Sequence, residues 1–180
     1  MLELTVPDKE FYNEATGEFF TKPGGLLVLE HSLLSISKWE SKTKKPFLDT
    51  MAKSMKPDEF IEYVKCMTVN RPKPEVYENI DLDILDKVRA YMEDPMTATW
   101  FAERDKRRSR EIVTAEVVYY WMTALQIPFE CEKWHFNRLM TLITVCNLKN
   151  QPPKKMSKRD VMSRNSKLNA ARRKASGSRG

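Results

Sequence analysis

Hydrophobic positions recur along this chain in two periods. In residues 2–6 they alternate, with Leu2, Leu4 and Val6 on one side and Glu3 and Thr5 on the other. That is the period of a strand. Residues 10–12 and 18–21 read as two more strands. Asn13-Glu14-Ala15-Thr16-Gly17 between them supplies a turn, with Gly17 suited to a positive φ. The expectation is a small N-terminal β-meander that must pack on helices, because such short strands do not stand alone. Lys22-Pro23-Gly24-Gly25 ends it.

From there apolar residues recur mainly every three or four positions. A first helix is expected over 26–41, with Leu26, Leu29, Leu33, Ile36 and Glu40 along one stripe. Thr43-Lys44-Lys45-Pro46 closes it, and 49–56 reads as a loop or short turn. Pro57-Asp58-Glu59 opens a second helix over 58–67, which buries Phe60, Ile61, Val64 and Met67. Pro72 and Pro74 break the chain. A third helix over 82–93 turns Leu82, Leu85, Val88 and Met92 inward. Residues 94–101 favour an extended or turn segment, and 102–110 form a charge-dense linker.

The stretch from Arg110 to Cys146 is the expected centre of the fold. It reads as two helices, 111–125 and 132–146, joined at Ile127-Pro128-Phe129. The first carries apolar residues over most of its circumference, including Val117, Val118, Tyr119, Tyr120, Trp121 and Met122, the signature of a buried helix. Pro128 cannot continue it. The second places Trp134, Leu139, Leu142, Ile143 and Cys146 at helical spacing, with Phe136 near its start. Together they predict a helical hairpin with an aromatic seam. Asn150-Gln151-Pro152-Pro153 forms a stiff exit, and Ser157 with Asp160 caps a final helix over 158–174. The predicted fold is mainly α. It has a helical domain (1–148) with the central hairpin, the N-terminal β-meander, and a protruding basic C-terminal helix in a tail (149–180).

Charge divides the chain in the same place. Residues 149–180 hold eleven Lys and Arg against one acid, Asp160, whereas the preceding 148 residues hold 20 basic and 24 acidic side chains. A mildly acidic body with a strongly basic tail suggests an acidic partner surface, a nucleic acid, or self-association. Lys154, Lys155, Lys158, Arg159, Arg164, Lys167, Arg172, Arg173 and Lys174 are the candidate contacts. They suit phosphate neutralisation, docking on an acidic protein, or simple solubility equally well. Aromatic residues are absent beyond position 136, so the tail offers no base-stacking platform. No apolar run approaches the ~20 residues of a membrane span, and the first residues lack a signal-peptide pattern. A soluble chain with no membrane partner is expected.

Catalytic and cofactor signals are weak. Cys131 and His135 stand four apart, a spacing that presents two metal ligands from a helix, but the other histidine, His31, is expected in a distant helix. A buried thiol beside a hydrogen-bonded imidazole is the simpler reading. As a nucleophile Cys131 would be poorly placed, since Glu130 and Glu132 raise its pKa. The chain lacks phosphate-binding glycine motifs, with Gly24-Gly25 an isolated pair. A non-enzymatic protein without metal or cofactor is expected. The aromatic residues Tyr119, Tyr120, Trp121, Trp134 and Phe136 are either core or, in part, an interface, with Tyr120, Trp134 and Phe136 the candidate partner contacts.

Tyr119-Tyr120-Trp121-Met122, Leu125-Gln126-Ile127-Pro128, Trp134-His135-Phe136 and Arg138-Leu139-Met140 together resemble siphophage tail-module proteins encoded beside the tape measure and classed as tail assembly chaperones. Glu30-His31-Ser32-Leu33, Trp39-Glu40, Lys45-Pro46-Phe47-Leu48 and the exit 150–156 look similar too. The N-terminal strands and the basic tail lie outside that pattern. The resemblance implies a helical, non-enzymatic assembly factor in the host cytoplasm. Its partners would be the tape measure protein and tail tube subunits.

Overall fold

The computed structural model describes residues 1–14, 17–101, 111–151 and 157–177. The chain forms two compact units, Met1–Asn147 and Leu148–Gly180. It is mainly helical, with a small β region at its N-terminus and a helix at its C-terminus.

The β region has four strands rather than the three expected: β1 (Leu2–Val6), β2 (Lys9–Asn13), β3 (Glu18–Lys22) and β4 (Gly25–Leu29). It is not a meander. β1 pairs antiparallel with β4 and β2 with β3, so one two-stranded sheet is inserted between the strands of the other. The crossing is tight at Gly24, where a Cβ would lie 2.0 Å from the Val6 carbonyl oxygen. That close approach, rather than a phosphate site, accounts for this glycine.

β4 corrects the expected helix start. Leu26-Leu27-Val28-Leu29 satisfies both periods, as short apolar runs do. The partners decide between them. β1 supplies a ladder on one edge of β4. On the other edge Val69 N–H donates to the Val28 carbonyl at 2.8 Å and Glu30 N–H to that of Met67 at 2.9 Å. The Asn70 amide closes this edge, accepting from Val28 N–H at 3.0 Å and donating to the Leu26 carbonyl at 2.7 Å. Leu27 and Leu29 are buried beside Val6. The helix begins only after Ser32, whose hydroxyl and that of Ser35 satisfy each other's backbone N–H groups in a capping box.

The helices are α1 (Leu33–Thr43), α2 (Phe47–Ala52), α3 (Pro57–Met67), α4 (Leu82–Glu93), α5 (Ala115–Ala124), α6 (Phe136–Asn150) and α7 (Lys158–Ser176). Short 3-10 turns occupy Pro74–Asn79 and Phe129–Lys133. α2 takes the first half of the segment expected as a loop or short turn at 49–56, and its second half is the connection to α3. α5 falls within the first helix expected in the central stretch, whereas α6 begins at Phe136 after the 129–133 turn, later than the second was expected, and the packing is organised by α1. It lies against α3 most extensively, and against α2, α5 and the 129–133 turn. Trp39 of α1 is fully buried, meets Phe47 edge-on at 5.5 Å, and donates its indole N–H to the Glu59 carbonyl at 3.1 Å. The Tyr63 ring of α3 lies tilted against that of Phe47 at 4.2 Å. On α4 the buried stripe is Ile84, Leu85, Val88, Tyr91 and Met92. Leu82, expected inward, is the first helical residue and is 73% exposed.

Glu40, on the expected apolar stripe of α1, is a buried carboxylate with a structural role. Its two oxygens accept the backbone N–H groups of Phe47 and Ala115, each at 2.7 Å. These are the first residues of α2 and α5, so one carboxylate satisfies unpaired donors at two helix N-termini. Thr114 makes no side-chain cap for α5. Glu40 does that work from 75 residues away.

In the second unit, α7 is capped by Ser157, whose hydroxyl accepts from Asp160 N–H at 3.1 Å. It ends at Gly177 in the left-handed conformation, and none of its residues is buried. Among the described residues, no helix is long and apolar enough to cross a membrane.

Candidate functional site

α5 was expected to be buried all round. Instead it buries one stripe, Ala115, Val118 and Met122, and turns the opposite side to solvent. Two causes are visible. The Glu40 hydrogen bond at Ala115 fixes how the helix meets α1. At the other end Ile127 N–H reaches back to the Met122 carbonyl at 2.8 Å, with Gln126 in the left-handed region at φ 56°. The chain therefore folds back sharply into the Phe129–Lys133 turn.

The solvent side of α5 and this turn carry aromatic and acidic side chains. Tyr120 is 69% exposed and Phe129 57%. The half-buried Tyr119 ring lies 6.3 Å from that of Phe129, and its hydroxyl donates to the Glu132 carboxylate at 2.7 Å. Burial, then Glu132 and Glu116, push the Tyr119 phenol well above its usual range. Glu116 lies one turn before Tyr120 on the helix surface, and both it and Glu130 are exposed. Cations stand beside these groups: Lys133 is exposed at the end of the turn, and Arg138 lies close enough to act on Cys131. Lys44 and Lys45 line the cleft that Glu116 borders, with Lys45 already paired to Glu59.

Of the partner contacts expected from sequence, Tyr120 sits on this surface. Trp134 follows the turn, half-buried, with the Arg138 guanidinium stacked over its ring at 4.3 Å. Phe136 is 5% exposed and packs edge-on against His31 at 5.7 Å. Tyr120 and part of Trp134 are therefore accessible, while Phe136 is closed inside the fold. Phe129 belongs to the surface and was missed. Its place after Pro128 in a tight turn was the available signal, since a large side chain there has little room to turn inward.

His31 and His135, expected far apart, are brought together. Ser32 and His135 form an isolated antiparallel bridge, and Phe136 N–H donates to the His31 carbonyl at 2.8 Å. The two rings meet edge-on at 5.1 Å. His31 Nδ1 shares a hydrogen bond with the Tyr63 hydroxyl at 2.6 Å, and His135 Nε2 with the Tyr91 carbonyl at 3.0 Å. Burial first, then the neighbouring His135, pushes the His31 pKa down to about 3. Burial also lowers His135, against the opposing Tyr91 carbonyl. Both imidazoles are thus held neutral, and they clamp α6 to the start of α1 and to α4.

Cys131 is a free, buried thiol in the 3-10 turn, so it and His135 do not share a helix. Burial, then Glu130, raises its pKa. Among the described residues no group of three or more His, Cys, Asp or Glu could hold a metal ion. Lys158, Arg159, Arg164, Arg172 and Arg173 are exposed on α7. Lys154 and Lys155 lie outside the described residues. No family model, no curated protein and no solved structure matches this chain.

Proposed function

We propose that this chain is a non-enzymatic tail assembly chaperone of a siphophage tail module, acting in the cytoplasm of the infected host on tape measure and tail tube proteins. The observation that supports it most is the solvent-facing aromatic surface of Tyr119, Tyr120 and Phe129 within the stretch that carries the resemblance. Large rings held by a rigid helix and turn offer contact area at small entropic cost, which suits capture of amphipathic client helices. Few fixed polar contacts keep such capture reversible.

The test is an affinity pull-down of tagged full-length protein from cells co-expressing the tail genes, at about 0.3 M salt to screen loose charge contacts. Mass spectrometry should identify the tape measure or tail tube protein, and Tyr120→Ala with Phe129→Ala should reduce its recovery. Recovery of neither client, or undiminished recovery by the double variant, would overturn the reading. A second reading has its own support in α7, a fully exposed helix with one acid and seven Lys or Arg. Sequence-independent phosphate binding by that helix would lose affinity steeply with salt.

A further inference from the structure

We infer that the aromatic and acidic surface of α5 and the 129–133 turn docks the basic helix α7 of a second copy of this chain. Each unit supplies its half by itself. On the body, Glu116 and Glu132 act on Tyr119, Glu130 follows Phe129 in the turn, and these three acids outnumber Lys133, the one Lys or Arg of α5 and the turn. This is an apolar patch with an acidic border.

On α7, Val161, Leu168 and Ala175 recur every seven residues, which aligns them on one helix face. Lys167 and Lys174 border that face on one side and Arg172 on the other, by helical spacing. Val161 and Leu168 are exposed, although large aliphatic side chains on a helix ordinarily find a partner. α7 thus presents a narrow apolar stripe with a basic border. The two surfaces match in kind and are opposite in charge. Ring faces receive the aliphatic stripe, and the guanidinium and ammonium groups meet carboxylates and the electron-rich faces of tyrosine.

Phosphate polymers are the weaker occupant for this face of α7, since they have no use for Val161 and Leu168. A helix of nineteen residues is about 28 Å long. The pairing uses the surface assigned above to clients, so a client displaces the helix of the second copy. It rests on the chaperone reading only in sharing that surface. Self-association is measured without a client, so either idea can fail alone.

The experiment is sedimentation velocity on nuclease-treated full-length protein over a concentration series at about 0.05 M and 0.5 M salt. The expected result is a concentration-dependent dimer or larger assembly at low salt that dissociates at high salt. E116K/E130K, which leaves the Tyr119–Glu132 bond in place, should weaken it about tenfold or more, and so should K167E/K174E. Combining both pairs in one chain should restore association, because the charges are then exchanged. A monomer at every concentration and salt would overturn the proposal. So would charge reversals without effect, failure of the combined variant to recover, or reversals that alter the frictional ratio of a chain that stays monomeric. The last pattern would mean that α7 docks within its own chain. Association only when nucleic acid is added back would equally reject it.

Discussion

α1 and α7 are built with the same terminal devices and held by opposite means. Each starts at a serine whose hydroxyl accepts the backbone N–H three residues on. Each ends in a left-handed residue, Lys44 at φ 57° and Gly177 at φ 63°. α1 has eleven residues and buries five of them, Leu33, Ser35, Ile36, Trp39 and Glu40. α7 has nineteen and buries none. Caps define where a helix begins and stops. Burial of an apolar face supplies most of its stability, since isolated helices of this length are marginal in water. α1 therefore anchors the first unit, and α7 buries no apolar face.

The sharpest way to break this comparison is to truncate a large side chain in each helix. Trp39→Ala should lower unfolding stability by about 3–5 kcal/mol, because the cavity left among Phe47 and α3 cannot collapse. Leu168→Ala should change it by less than about 0.5 kcal/mol. Urea titrations followed by tryptophan fluorescence and circular dichroism would compare them, and equal effects would contradict the assignment of α1 as the anchor.

Acid should act on the first unit next most strongly. The unfolded chain binds protons on its histidines below pH 6.5, but folded His31 resists until about 3. Stability is therefore unaffected by this group above pH 6.5 and falls as the pH drops through that window. The slope is about 1.4 kcal/mol per pH unit for one fully resistant histidine. His135, shifted the same way, adds to it. Urea midpoints measured from pH 7 to 4.5 should decline steadily, and a flat profile would show that the clamp opens without cost. α7 contains no histidine, so its own helicity should not follow this curve.

A smaller effect is expected at Glu40. Glu40→Gln keeps one acceptor oxygen but removes the charge and leaves either Phe47 or Ala115 N–H unsatisfied. A loss of about 1–3 kcal/mol follows. Amide hydrogen exchange should rise first at the start of α5 or α2. Unchanged protection at both helix starts would rule out the double cap.

Much of the fold was legible, and the errors share a cause. α3 and α4 lie where their periodicity and entry residues placed them, because Pro57, Asp81 and the following carboxylates are local signals. The apolar residues of the run Leu26–Leu29 fit either period, and only β1 and Asn70 select the strand. Spacing alone points Leu82 inward, although its terminal position turns it to solvent. The candidate surface was half legible. Tyr120 was singled out, but composition called for a buried α5. That a helix rich in tyrosine, tryptophan and valine shows one side to water depends on how Glu40 and Ile127 fix its two ends.

By itself the sequence determined the starts of α3, α4 and α7, the mainly helical class and the charge division between body and tail, because each is read from local residues. Tertiary structure alone decided the nested strand pairing, the meeting of His31 with His135, the double cap by Glu40 and the exposure of the α5 aromatics. All of these join residues far apart along the chain. Hydrophobic spacing specifies that a face will be buried, but the partner it meets is fixed only when the whole core closes.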